Sequence, residues 1–393
     1  MADTATRTPR EARTETAAAT LSTHRMTAWR STWRTAVLTG AGYFVAARVV
    51  TELVALIAAY GSSFVTVVRH DPNAAIRVWG HWDAVWYLQI ASHGYTDNHL
   101  AAFPPLPPLV VGGIARVTHA DTLVVSLAVA FIAGAIACVL LYRLVQRDFG
   151  DRSASLAVFL LLTFPTALFL QTFYAEGMVL LFAVASFLAM RSGHVLFAGV
   201  LVACAALCKT YAVILVIPLL VEYFKGRRWE WLRALRVGAP LALPPLAAVA
   251  GWALYLGQRF GDPSLIVTAE GFWGRHLAPP WVAIFDGLNN IRTFHLVEGM
   301  DLVSVVLLIA AALYAWMRMR RSYALLLALS ALVFTSSSVL TSSGRFTIAV
   351  FPLFIVAAAN ASRRAWLERL WPAVFIPLGV YYLAAFATSR WAG

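Results

Sequence analysis

The sequence predicts an all-α polytopic membrane protein. Three observations carry that prediction. Of the 393 residues, 60% are hydrophobic and only 13% are charged, and mean hydropathy is +0.72. A soluble globular chain carries roughly 25% charged residues. The composition therefore excludes a cytosolic enzyme, a secreted disulfide scaffold and a disordered regulator, and leaves helices that cross a bilayer. The net charge of +12 would suggest nucleic acid in a soluble chain. Here it reads as Arg-rich cytoplasmic loops facing anionic lipid, with no nucleic-acid partner expected. Cys138, Cys204 and Cys208 lie in apolar runs without metal or disulfide spacing, as small buried hydrophobes do.

The elements follow in order. Residues 1–34 are rich in Ala, Thr and Arg, lack an apolar core and are expected to form a disordered cytoplasmic tail. They lack the early apolar stretch of a cleavable signal peptide. Residues 35–393 are expected to form a single transmembrane domain. Its first span, 35–60, carries Arg48 and Glu52 four apart, where they share a helix face and can pair. Residues 61–120 form a mixed polar, aromatic and Pro-rich loop, too long for a turn and of the kind that carries function. Spans follow at 121–145, 154–172 and 175–191. The apolar run 195–223 is interrupted by Lys209, and the basic stretch 225–236 precedes a span at 238–257. A second mixed loop, 258–300, leads to spans at 302–317, 322–340, 346–362 and 371–388. No internal repeat is evident.

Short, dense Arg clusters belong on the cytoplasmic side. One topology places the tail, 143–152, 225–236, Arg318/Arg320/Arg321 and Arg363/Arg364/Arg369 all inside. It requires that 195–223 be two short helices that break near Lys209 at the outer side, and it gives about eleven spans. Loops 61–120 and 258–300, Lys209 and Arg345 then lie outside.

The chemistry concentrates on that outer side. Trp79-Gly80-His81-Trp82-Asp83-Ala84-Val85-Trp86-Tyr87 is the densest constellation. Trp and Tyr at a membrane boundary ordinarily serve as interfacial anchors. Asp83 does not fit that role, because a carboxylate among such rings near the bilayer is costly unless used or paired. Asp83 and Tyr87 are four apart and meet on one helix face. Glu176, Lys209 and Arg345 lie on the same side. Each has an ordinary alternative: a helix-terminal charge, a snorkelling Lys and a loop cation. Together, a base-like carboxylate and two cations suggest a site for an anionic lipid whose phosphate gains charge as it leaves.

These residues resemble a known family. His81-Trp82-Asp83-Ala84-Val85-Trp86-Tyr87, Ile90-Ala91, Gly94-Tyr95, Phe103-Pro104 and Leu106-Pro107 look like the first luminal loop of PIG-V-type mannosyltransferases, members of the GT-C glycosyltransferases. Pro165-Thr166-Ala167-Leu168-Phe169-Leu170 leading to Tyr174-Ala175-Glu176 is similar to a further segment of that family. So are Ala198-Gly199 through Ala205-Ala206-Leu207-Cys208-Lys209-Thr210, and Gly344-Arg345-Phe346 with Phe351-Pro352-Leu353-Phe354. The resemblance covers about residues 40–360 and keeps the order of the segments. With the Ala/Arg-rich, Lys-poor composition it suggests a bacterial member.

The resemblance implies a GT-C-type bundle with short interfacial helices in the first outer loop. It also implies a polyprenyl-phosphate-sugar donor, with mannose as the sugar, and inversion at the anomeric carbon. Asp83 matches the family's catalytic aspartate, the expected general base. Arg345 and Lys209 match cations near the donor phosphate, and Tyr174 and Glu176 line the site, with Tyr87, Trp82 and His81 as further substrate-binding candidates. The acceptor would be a glycolipid, a lipoglycan or a protein, at the outer face of the plasma membrane. Two departures stand out: His81 replaces an expected Arg, and Lys209 an Arg that the family often has, exchanging a fork for a point charge. The outer loops hold no Asp-x-Asp pair, so neither a metal nor any other cofactor is expected. The alternatives are a lipid-linked sugar flippase or transporter and a non-catalytic envelope assembly partner.

Overall fold

The computed structural model of the protein describes residues 9–61, 74–225, 227–292 and 296–390. Among these residues regular structure is helical, apart from one isolated bridge between Leu277 and Ser337. The helices are α1 (Pro9–Gly61), α2 (Ala74–Arg77), α3 (Asp83–His93), α4 (Leu106–Thr118), α5 (Thr122–Leu162), α6 (Glu176–Arg191), α7 (Val195–Ala206) and α8 (Val216–Phe224). They continue with α9 (Trp231–Phe260), α10 (Leu265–Thr268), α11 (Pro280–Arg292), α12 (Leu296–Arg318), α13 (Arg321–Thr335), α14 (Ser343–Thr347), α15 (Pro352–Ala361) and α16 (Ala365–Ala387). Short 3₁₀ turns fill Asn98–Ala102, Ala167–Leu170, Thr210–Leu215 and Ala269–Trp273.

The helix ends follow local chemistry. Asp121 caps α5, its carboxylate accepting from the backbone N–H groups of Leu123 and Val124. Gly150, at φ 80°, turns the chain inside α5 and divides it into two legs. A residue without Cβ can take that conformation, and the turn falls within the expected 143–152 connection. The 195–223 run is broken as expected: α7 ends at Ala206, Lys209 is extended at φ −149°, and the chain resumes in a 3₁₀ turn.

Close helix approach is arranged by small residues. A Cβ on Gly199 of α7 would lie 2.5 Å from the carbonyl oxygen of Pro240 and 2.8 Å from that of Leu241 in α9. Those two carbonyls lack their usual donors four residues on, because Pro244 and Pro245 have no N–H. The glycine lets α7 pack directly onto the stretch of α9 that its prolines leave without intrahelical bonds.

Five helical stretches are long and apolar enough to cross a membrane: Thr32–Ala59, Thr122–Leu162, Trp231–Phe260, Gly299–Arg318 and Ala365–Ala387. Shorter apolar helices accompany them, and large apolar side chains such as Ile57, Leu254, Leu313 and Met317 face outward. In a bilayer that surface is solvated by lipid tails. The chain is a multi-pass membrane protein. Helix length does not establish the expected count of eleven crossings.

The structure differs from the sequence reading in three places. α1 begins at Pro9, inside the stretch expected as a tail; its Ala, Arg and Glu are helix formers, and Pro9 stands at the first helical position, where a missing N–H costs nothing. Residues 1–8 lie outside the described residues. The expected loops 61–120 and 258–300 are largely built of short helices, α2–α4 and α10–α11, with 62–73 and 293–295 outside the described residues. The expected 346–362 span is two helices separated near Phe351-Pro352.

The bundle has two polar ends. α6 carries Glu176 in its first turn and Arg191 in its last, which a rise of about 1.5 Å per residue places roughly 22 Å apart. α8 and α12 run between the same two ends, with Lys209 and Asp301 near one, and Glu222 and Arg320 near the other.

Candidate functional site

Asp83 opens α3 directly after Trp82, which holds a left-handed φ of 56°. That conformation is unfavourable for a bulky residue and persists only where surroundings impose it. Neighbouring groups do so here. The Thr172 hydroxyl donates to the Trp79 carbonyl at 2.7 Å, and the Tyr174 hydroxyl donates to the His81 carbonyl at 3.3 Å. Trp79, fully buried, donates from its indole to Glu52 at 3.0 Å, and Glu52 pairs with Arg48 at 2.9 Å as the four-residue spacing predicts. The carboxylate at position 83 also sits at a helix N-terminus, where negative charge is favoured.

Arg345 reaches it from the other half of the chain. Arg345 lies on α14, after Ser342 at φ 70°. The Asp301 carboxylate of α12 accepts from the backbone N–H groups of Ser342 at 3.2 Å and Gly344 at 2.6 Å, while the Thr166 hydroxyl donates to the Gly344 carbonyl at 3.0 Å. So fixed, Arg345 pairs through Nη1 with Asp83 Oδ2 at 2.9 Å and through Nε with Glu176 Oε1 at 3.2 Å. The rings of Phe169, Tyr174 and Phe346 surround its guanidinium at 5.6, 5.2 and 5.0 Å. Its side chain is 4% exposed, that of Glu176 1% and that of Asp83 17%. Asp83 is thus the member of the triad that opens outward.

It opens into a cavity of about 240 Å³ whose lining includes Asp83, Phe103, Lys209, Glu270, Trp273, Arg275, Ser342 and Arg345. A neighbouring hollow of about 250 Å³ shares Ala102, Lys209, Glu270 and Arg275 with it and continues to Tyr211, His276 and Phe346. Lys209 Nζ lies 4.9 Å and the Arg275 guanidinium 5.0 Å from the centre of the Phe346 ring. Three cations therefore gather around one aromatic ring. Glu270 pairs with Arg275 at 3.5 Å. The arrangement offers a carboxylate beside a concentration of positive charge, within reach of one bound molecule. Among the described residues no group of three or more His, Cys, Asp or Glu is placed to hold a metal ion.

Of the residues singled out from sequence, Asp83, Lys209 and Arg345 line the cavity. Glu176 and Tyr174 form a layer behind Arg345. Tyr87 is buried against Phe103 and Phe173, with burial and the nearby Glu176 and Asp83 pushing its hydroxyl well above the usual phenol range. His81 and Trp82 do not line the cavity: the His81 ring packs on Phe386 at 5.8 Å and approaches Ser389, and burial pushes its imidazole down. Sequence reading missed Arg275, Glu270 and Trp273. Their signal was the Gly271-Phe272-Trp273-Gly274-Arg275-His276 stretch, an aromatic and basic knot in the second mixed loop. It also missed Asp301, a carboxylate near the start of an apolar run.

Comparisons with known proteins bear on this geometry. Residues 102–253 match the sequence model of a family described as dolichyl-phosphate-mannose-protein mannosyltransferase. GPI mannosyltransferase 2 of Drosophila pseudoobscura pseudoobscura is 36% identical over 118 residues, 27% of this chain and 25% of that protein. The chain thus covers about a quarter of the length of the curated relative it matches. Among solved structures, ArnT from Cupriavidus metallidurans, bound to undecaprenyl phosphate, aligns with a TM-score of 0.50 and 17% identity over 82% of this chain and 60% of that one. The Archaeoglobus fulgidus oligosaccharyltransferase in its apo form aligns at 0.47, with 11% identity over 89% and 56%. The likeness to ArnT is one of fold. Family match and curated relative each cover part of the chain and agree with the resemblance drawn from the sequence: those segments are similar to mannosyltransferases, and the chain shares its helical membrane fold with ArnT.

Proposed function

We propose that the chain is an inverting glycosyltransferase that moves a sugar, mannose, from a polyprenyl-phosphate donor to an acceptor hydroxyl. The observation that carries the proposal is the meeting of Asp83 with Lys209, Arg275 and Arg345 around one cavity. The match to a mannosyltransferase supports the sugar, and the neighbour seen with undecaprenyl phosphate supports a lipid-phosphate donor. In this reading Asp83 takes the proton from the acceptor hydroxyl. The freed oxygen forms a bond to the anomeric carbon on the face opposite the phosphate. The bond from that carbon to the phosphate oxygen breaks, and polyprenyl phosphate departs with the electron pair. Lys209 and Arg275 offset the charge growing on the phosphate. Arg345 holds and aims Asp83. The contact from Arg345 Nη1 is to one oxygen of the Asp83 carboxylate, Oδ2.

The site-bearing end faces outward from the plasma membrane in this reading, with the N-terminus inside. The clusters Arg147/Arg152, Lys225/Arg227/Arg228 and Arg318/Arg320/Arg321 lie at the other end, where the positive-inside rule puts cytoplasmic charge. The acceptor is a glycolipid, lipoglycan or protein.

The test is transfer of labelled mannose from polyprenyl-phosphate-mannose in liposomes. Asp83→Asn should lower turnover about 10²–10⁴-fold while the protein stays folded; near-wild-type turnover removes the base assignment. Translocation of the donor without transfer would mark a flippase instead. Transfer is also proposed to proceed without a divalent ion, side-chain cations supplying the positive charge. Activity lost in chelator and regained with Mg²⁺ or Mn²⁺ would refute that part alone.

A further inference from the structure

The end of the bundle opposite the site holds a second polar cavity, of about 330 Å³, that the proposed reaction does not use. Its floor is a buried ionic network. Arg191, closing α6, pairs with Asp148 of α5 at 3.0 Å and with Glu222 of α8 at 2.8 Å. Arg320, just before α13, pairs with the same two carboxylates at 2.6 and 2.8 Å. Tyr323 donates to Asp148 at 3.1 Å and accepts from Arg191 at 2.6 Å, and the Ser322 hydroxyl also donates to Glu222. The side chains of Arg191, Glu222 and Asp148 are 8%, 3% and 10% exposed. Two cations and two carboxylates balance, and their hydrogen bonds fix the geometry of the floor.

The rim is not balanced. Arg147, Lys225 and Arg227 also line the cavity and are exposed, and no third carboxylate lines it, so its charged lining is five cations against two anions, a net +3. α7 and α13 begin here while α6 and α8 end here, so the helix dipoles offset one another and the excess charge is that of the side chains. The connection that supplies Lys225 and Arg227 and the start of α9 also expose Trp229, Trp231 and Leu232 at 63%, 69% and 63%. Exposed indoles beside Lys and Arg are the signature of a segment resting at the lipid headgroups.

We propose that this cavity binds the phosphate of an anionic phospholipid headgroup, with Arg147, Lys225 and Arg227 as its ligands and the Asp148–Arg191–Glu222–Arg320 network as its rigid floor. A phosphate brings the negative charge that the rim lacks, and the adjoining indoles put lipid headgroups at its mouth. The assignment needs only that the protein is embedded in a membrane and is independent of the transferase reading.

The experiment uses the full chain, purified and delipidated, then placed in nanodiscs of phosphatidylcholine doped with phosphatidylglycerol. Native mass spectrometry reads which lipid stays bound. The wild type should retain phosphatidylglycerol in preference to phosphatidylcholine. Arg147→Gln, Lys225→Gln and Arg227→Gln should each weaken that retention about fivefold, and the triple variant about a hundredfold. None of the three side chains bonds the side chains of the buried network, and that of Arg227 bonds only the exposed turn at the Tyr223 carbonyl, so unfolding temperatures in pure phosphatidylcholine should stay near the wild type. Equal retention of both lipids by the wild type, or undiminished phosphatidylglycerol on a folded triple variant, overturns the proposal. Stabilisation by inorganic phosphate in lipid-free detergent equal to that by phosphatidylglycerol would assign the site to a soluble phosphate and overturn the lipid assignment.

Discussion

Arg345 is held by two carboxylates, three rings and a backbone turn that Asp301 fastens from another helix. Removing its charge takes from the buried Glu176 its ion-pair partner, which costs about 3–5 kcal/mol where one partner of a buried pair is lost. Arg345→Met should therefore lower the unfolding temperature in detergent strongly, whereas Asp83→Asn, at the more exposed side of the triad, should lower it little and suppress transfer. Equal destabilisation by the two variants would mean that Asp83 is only structural. Asp83, Lys209 and Arg345 were legible in the sequence because each is a charge where lipid-facing chemistry tolerates few. Arg275 and Asp301 were not, because what defines them is Phe346, Ser342 and Gly344, dozens of residues away in the chain.

Position 112 shows how an element aims the site. A Cβ on Gly112 of α4 would lie 2.3 Å from the carbonyl oxygen of Ala91 in α3, whereas one on Gly113 would meet nothing within 4 Å. α4 can therefore lie against the helix that Asp83 opens only because residue 112 has no side chain. Gly112→Val should cost about 1–3 kcal/mol through overpacking and reduce transfer by shifting α3. Gly113→Val should leave both near wild type. Thermal unfolding and turnover measured on the pair check this, and equal effects would sink it. The apolar spans and the break at Lys209 could be read from hydropathy and from a charge interrupting it. The short helices of the two mixed loops could not, since they bury small patches against partners that periodicity does not reveal. Nor could the continuation of α1 through residues 9–34, where composition alone reads as a solvated tail.

The molecule as a whole separates two kinds of polar chemistry. One end gathers acid and base around an open cavity, the other a balanced network beneath a basic rim. Composition and charge foretold a membrane bundle with its basic clusters at one end. Ser264, exposed near α10, and Arg228, exposed before α9, report on the two ends. With the proposed orientation, a membrane-impermeant maleimide labels Ser264→Cys in intact cells and Arg228→Cys only after lysis. The reverse pattern would invert the topology and remove the outward-facing site.

Phe346 gives this arrangement an unexpected dependence. An uncharged ring is the common seat of Lys209, Arg275 and Arg345. Its electron-rich faces and its bulk keep three like charges apart while holding each near the same hollow. A leucine there would leave the formal charge untouched and still redraw the local potential, letting the ammonium and the guanidinium groups drift toward whichever acid stands nearest. A mutational survey confined to ionisable side chains would pass over the one ring that all three share.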